Sequence, residues 1–243
     1  MNREPCAFCQ TINDEERIFC EGCGVALPNL GGGVPWEQRR SLGFISALLE
    51  TVFTLFRQPS VFFARVGGEA RHGGALLFAA AIGFFATLVA TLWTLFLSGE
   101  EIRSFVALIL EKFGHLENSA ELSETTFKYI MAAEVICAPL ISVIEIYCLS
   151  GLIWLAMKAL SVPGRKFSLV LLLIAFTRVS QLALVLPEIG GLISSILAVV
   201  FTTIALGTRF RLTWGKAVFL AIAPSLAGVF LILAGTLAMG LMG

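Results

Sequence analysis

The chain has 243 residues, of which 57% are hydrophobic and 14% charged, with a mean hydropathy of +0.88. Soluble domains carry about one-quarter charged residues, so this composition belongs to an integral membrane protein, with the lipid bilayer as its first partner. The 17 basic residues balance the 17 acidic ones, so no nucleic-acid partner is expected, and electrostatic arguments rest on where the charges sit.

The N-terminus, MNREPCAFCQ, is polar and lacks a basic region followed by an apolar core. It does not read as a cleavable signal peptide, and the first residues are expected in the cytoplasm. Residues 1–28 hold four of the six cysteines, as Cys6-x-x-Cys9, ten residues, then Cys20-x-x-Cys23. Two thiolate pairs of this kind complete a tetrahedral shell, which predicts a structural zinc with no open ligand position. Two disulfides are the competing reading, disfavoured where the cytoplasm keeps thiols reduced. Rubredoxin-like iron is a third, since the same thiolates accept it. Residues 29–40, beginning NLGGGVP, read as a flexible linker.

Residues 41–73 read as amphipathic membrane-surface helices. Leu42, Ile45, Leu48, Leu49, Val52, Phe53 and Phe56 recur at helical spacing. Pro59 interrupts this pattern, and SVFFARV makes a second short piece. Residues 74–243 read as a bundle of five spans of about 20 apolar residues each: Gly74–Leu97, Tyr129–Met157, Phe167–Leu186, Ile189–Gly207 and Ala217–Leu241. The fold class is therefore all-α, a polytopic helix bundle with a small ribbon and interfacial helices. SGEEIRSFVALILEKFG, in the loop between the first two spans, predicts one further amphipathic helix stopping at Gly114.

Arginine and lysine gather before the first span, between the second and third (Lys158, Arg165, Lys166) and between the fourth and fifth (Arg209, Arg211, Lys216). By the positive-inside rule the N-terminus is cytoplasmic and the C-terminus outside, in the inner membrane if the source is prokaryotic. Within the second span Glu134 and Glu145 bracket an apolar stretch, eleven residues apart and so on nearly one helix face. Counted along the helices, Glu145 and Arg178 of the third span fall at similar depth. They predict an ion pair near mid-membrane, with Gln181 one turn on and Thr177 or Ser142 in support; the other reading is a proton or ion relay that includes Glu134. Cys137 and Cys148 read as small apolar packing residues. The two histidines, His72 and His115, fall outside the spans and no GxSxG stretch occurs, so no enzymatic constellation is apparent.

The stretches RQPSVFFARV, WLAMKALSVPGRKFSLVLLLIAFTRVSQLALVLP and GLISSILAVVFTTIALGTRFRLTWGKAVFLAIAP resemble the Yip domain family, Ypt/Rab-interacting membrane proteins. The likeness covers about residues 50–240 and lies in hydropathy, Pro and Gly positions and small-residue texture. It implies an inside N-terminus and five closely spaced spans. Eukaryotic relatives act in vesicle trafficking and bind small GTPases through cytosolic N-termini and membrane domains; a ribbon takes the place of that N-terminus here. The front end is similar to short zinc ribbons of the form CxxCG…FCxxCG, with Gln10 where glycine is usual. The expected function is a non-enzymatic membrane platform whose ribbon docks a partner protein; self-association into a homo-oligomer stays open. The alternative is a transporter or channel component in which Glu134, Glu145, Arg178 and Gln181 line a path. A water-filled cavity joining Glu134 to Glu145 would favour transport, and a dry pair the platform.

Overall fold

The computed structural model describes residues 10–13, 20–22, 34–66, 72–97, 104, 106 and 124–226. Apart from a bridge residue at Ile12, every regular element among them is helical. Three short helices, α1 (Arg39–Leu42), α2 (Phe44–Arg57) and α3 (Pro59–Arg65), follow a 3-10 turn at Pro35–Gln38. The bundle is built from α4 (His72–Leu97), α5 (Glu124–Ala159), α6 (Phe167–Thr177) with a 3-10 continuation over Arg178–Val185, and α7 (Gly190–Phe210). Each of these four units is long and apolar enough to cross a membrane. A last helix, α8 (Trp214–Leu226), extends only about 20 Å at 1.5 Å per residue, less than a hydrocarbon core of about 30 Å. The spans among the described residues therefore number four, and the rest of the expected fifth lies outside them. Of the expected loop helix, only Ser104 and Val106 are described, both helical.

The third span is not one α-helix, as its unbroken apolar run predicts. It changes to 3-10 geometry at Arg178, where Thr177 Oγ1 donates to the Ile174 carbonyl at 2.8 Å. The tighter helix rises about 2.0 Å per residue, so the two pieces together reach about 32 Å where a plain α-helix would reach about 28 Å. Residues Val170 to Thr177 are all buried, and α6 packs against α4, α5 and α7. A helix apolar on every side suits such a central position, as it also suits contact with lipid. The lipid-facing surface is carried by its neighbours, for instance by Ile136, Leu140 and Ile144 of α5, all exposed on the isolated chain.

Two indole bonds fasten the bundle at opposite ends. Trp93 Nε1 donates to the Val185 carbonyl at 2.8 Å, and Trp36 Nε1 to the Gly74 carbonyl at 2.5 Å. The hairpin from the 3-10 stretch into α7 closes on Gly190, where a Cβ would strike the Ala183 carbonyl oxygen and lie 3.0 Å from Leu184 Cα.

The N-terminal helices are part of this packing. Trp36 is fully buried, edge-on to Phe44 and Phe78 at 5.1 and 5.5 Å, with the Arg39 guanidinium 5.3 Å from its ring centre. The linker expected over 29–40 is therefore docked from Val34 onward, since Val34 is buried as well. Helix α2 has three faces. Ala47, Thr51 and Leu55 are buried; Ser46, Glu50 and Arg57 form a polar exposed face; Ile45, Leu49, Phe53 and Phe56 form an exposed apolar stripe. Helix α3 does not lie on the surface as its amphipathic pattern predicts. Phe62 and Phe63 are both fully buried, and Phe62 meets Phe176 of α6 at 5.2 Å while Phe56 meets Phe201 of α7 at 5.3 Å. Phe176 lies nine residues from the start of α6 and Phe201 nine residues from the end of α7, about 14 Å along each axis. The α2–α3 hairpin is thus packed into one end of the bundle.

Candidate functional site

The polar residues of the bundle converge where α6 gives way to the 3-10 stretch. Arg178 stands at this junction and its Nη1 lies 2.7 Å from Oε2 of Glu145 on α5, a charge-assisted contact. The pair is unequal: the arginine side chain is 11% exposed and the glutamate 48%. Arg178 Nε and Nη2 are buried without a hydrogen-bond partner, as is Gln181 Oε1. In a 3-10 helix residues i and i+3 eclipse one another, which stacks Gln181 on Arg178. Close approach of the three elements depends on Gly83 of α4. A Cβ there would collide with Ser142 Oγ on α5 and lie 3.5 Å from Gln181 Oε1.

A cavity of about 280 Å³ opens beside this junction, floored by Thr177, Arg178, Ser180 and Gln181 and walled by Leu149 and Ile153 of α5, Ser194, Ser195 and Thr202 of α7, and Ser225 of α8. It exists because α5 and α7 each pack on the central span and leave a gap between them. Such a volume with several hydroxyls holds ordered water readily. Neither Glu134 nor Glu145 lines it. Glu134 is exposed, and no ion pair joins it to Arg178 among the described residues. Of the four polar residues that the sequence singles out, the structure therefore brings together Glu145, Arg178 and Gln181 and leaves Glu134 apart. The sequence reading misses Gly83, Ser180, Ser194, Ser195 and Thr202; the available signal is the spacing of Ser195 and Thr202, seven residues or about two turns apart on α7.

Of the four ribbon cysteines only Cys20 is among the described residues, and there no cluster of three or more metal-ligating side chains occurs. Cys6, Cys9 and Cys23 lie outside them. Cys20 is buried and its Sγ accepts a 3.4 Å bond from Asn13 Nδ2, while Asn13 Oδ1 accepts the Glu21 backbone N–H at 2.8 Å. Amide donors of this kind orient and stabilise a thiolate ligand. Gln10, directly after Cys9, takes the left-handed conformation at φ +60°, which glycine adopts most readily.

No family model, curated protein or solved structure matches this chain.

Proposed function

We propose that the protein is a non-enzymatic membrane platform. A zinc ribbon on Cys6, Cys9, Cys20 and Cys23 docks a partner protein, and the bundle, with a fifth span completing it, organises or senses the bilayer. The N-terminus is cytoplasmic, because the basic residues between spans gather at the end where α4 and α6 begin. A trafficking role rests on the Yip-like resemblance alone. The metal is structural: four thiolates leave no position for a reactive water, and binding stabilises a segment too short to build a core.

The observation that carries this reading is the exposed apolar stripe of α2, Ile45, Leu49, Phe53 and Phe56, on a helix whose opposite flank is fixed to the bundle. A helix so placed inserts into one leaflet only. Its footprint is about 200 Å², from a length of about 21 Å and a diameter of about 10 Å. Area added to one leaflet bends a bilayer, or makes binding sensitive to its curvature. The test is reconstitution into vesicles of defined size. Wild type is expected to favour or produce small vesicles, and an Ile45→Glu, Phe53→Glu variant, still inserted through its spans, to lose that preference. Equal behaviour of the two would remove the reading's support.

The docking half is tested by affinity purification from mild detergent, wild type against a Cys20→Ser, Cys23→Ser variant that is still inserted. Partners recovered only with wild type support docking; identical recoveries oppose it. The transporter alternative draws on the cavity beside Arg178. Because the two glutamates do not line that cavity, the platform is the better supported of the two.

A further inference from the structure

The connection between α7 and α8 keeps an arginine where glycine would be easier. Arg211 ends α7 in the left-handed conformation at φ +53°, the ordinary place of glycine or asparagine at a helix C-terminus. Its side chain lines a cleft of about 440 Å³ together with Thr203, Gly207, Thr208, Trp214 and Ala217. From Arg211 back to Thr203 is eight residues of α7, about 12 Å. One end of the cleft therefore lies at the level of the interspan loops and the other at the level of acyl chains.

The two ends differ in chemistry. At the mouth, Trp214 is 70% exposed, the position an amphipathic indole takes among headgroups. Residues 209–216, RFRLTWGK, carry Arg209, Arg211 and Lys216 and no acid, and residues 158–166 carry Lys158, Arg165 and Lys166 and no acid. Deeper in, Ile204, Gly207 and Ala217 line the cleft without a charged group, and Thr203 at its end is buried. Gly207 keeps the floor low: a Cβ there would touch only Ala217 Cβ, at 3.7 Å. An inorganic anion would satisfy the mouth and leave the apolar depth empty, whereas a lipid with an anionic head satisfies both.

We propose that this cleft binds one anionic phospholipid, with its phosphate at Arg211 beside Trp214 and an acyl chain running over Gly207 toward Thr203. Guanidinium groups hold phosphate oxygens bidentately, and basic pockets between spans on the cytoplasmic side recognise such headgroups. The site rests on the platform reading only for residence of the bundle in a bilayer, and needs neither the ribbon nor the α2 stripe.

The test uses the full chain in mild detergent, stripped of lipid and titrated with phosphatidylglycerol or phosphatidylcholine, with bound lipid counted by native mass spectrometry. Wild type, Arg211→Lys and Gly207→Ala are expected to retain one phosphatidylglycerol in preference to phosphatidylcholine. Arg211→Asn, which tolerates the left-handed backbone, is expected to weaken retention about fivefold, the worth of one charge near the surface. Gly207→Leu fills the floor and is expected to abolish retention. Quenching by brominated phosphatidylglycerol gives an independent reading in wild type, since part of it should vanish in Trp214→Phe. Equal retention of the two lipids, an unaffected Arg211→Asn variant, or quenching unchanged by Trp214→Phe would overturn the site. Failure here with intact vesicle-size preference would leave the platform standing, and the reverse result would leave the lipid site standing.

Discussion

Removing either member of the Glu145–Arg178 pair should have unequal consequences. Glu145→Gln leaves an arginine that is 11% exposed, with Nε and Nη2 already without partners. A guanidinium cannot shed its proton, so the charge stays in the bundle. Breaking a buried pair this way costs about 3–5 kcal/mol, and placing an arginine at the centre of a span about 3 kcal/mol on insertion scales. We expect about 3 kcal/mol for Glu145→Gln, the lower figure because Glu145 is 48% exposed and the pair is not sealed. Arg178→Met leaves the half-exposed carboxyl of Glu145 without its partner, and should cost about 1 kcal/mol, the size of a modest hydrogen-bond loss. The double variant removes both charges and should fall near Arg178→Met alone, giving a coupling of about 2–3 kcal/mol. Reversible unfolding in mixed micelles, followed by the fluorescence of Trp93 or Trp154, reads all three. Equal losses for the single variants that simply add in the double would refute the argument.

Gly83→Ala should lower stability by about 1–3 kcal/mol through its collision with Ser142, and the melting temperature should recover partly when Ser142→Ala is added. Burial pushes the Glu37 carboxyl above its usual value, against a backbone hydrogen bond at Val34 and the charge of Arg39. A raised value means that the folded state binds the proton more tightly; this contribution is present below the unfolded value and is lost as pH rises through the folded one. Glu37→Gln should therefore stabilise the docked Trp36 segment at neutral pH and flatten this part of the pH dependence, and unchanged melting curves from mildly acidic to neutral pH would contradict it. Gln10→Gly should relieve left-handed strain and stabilise the zinc-loaded ribbon by about 1 kcal/mol, seen as a higher chelator concentration needed to strip the metal. An easier loss of metal would show that the Gln10 side chain is required.

The sequence makes some of this legible and hides the rest for physical reasons. Helices α4, α5 and α7 follow from apolar runs of spanning length, and their bounds fall within a few residues of the expected ones. The change of helix type at Arg178 is hidden because no proline or glycine marks it; the signal is the polar set Thr177, Arg178, Ser180 and Gln181 inside an apolar run. Helix α3 defeats the amphipathic reading because Phe62 and Phe63 are adjacent and both buried, a pattern that fits a wedge packed on two sides. For α2 the large apolar residues are visible, but the bundle takes Ala47 and Thr51, because small side chains permit close helix contact within membranes. Glu145 and Arg178 are paired by depth counting alone, whereas the cavity beside them is not legible, since it arises from how α5 and α7 straddle the central span. Trp36 looks like the end of a linker, although a tryptophan behind a proline is costly to leave in water.

Spin labels placed singly along α2 test most directly whether this helix lies in one leaflet. In reconstituted vesicles, labels replacing Ile45, Leu49 and Phe53 should be accessible to oxygen and protected from a water-soluble relaxant at a common shallow depth, while a label at Glu50 shows the opposite. Water exposure at all four positions would mean that the apolar stripe does not enter the bilayer, and the platform account would lose its footing.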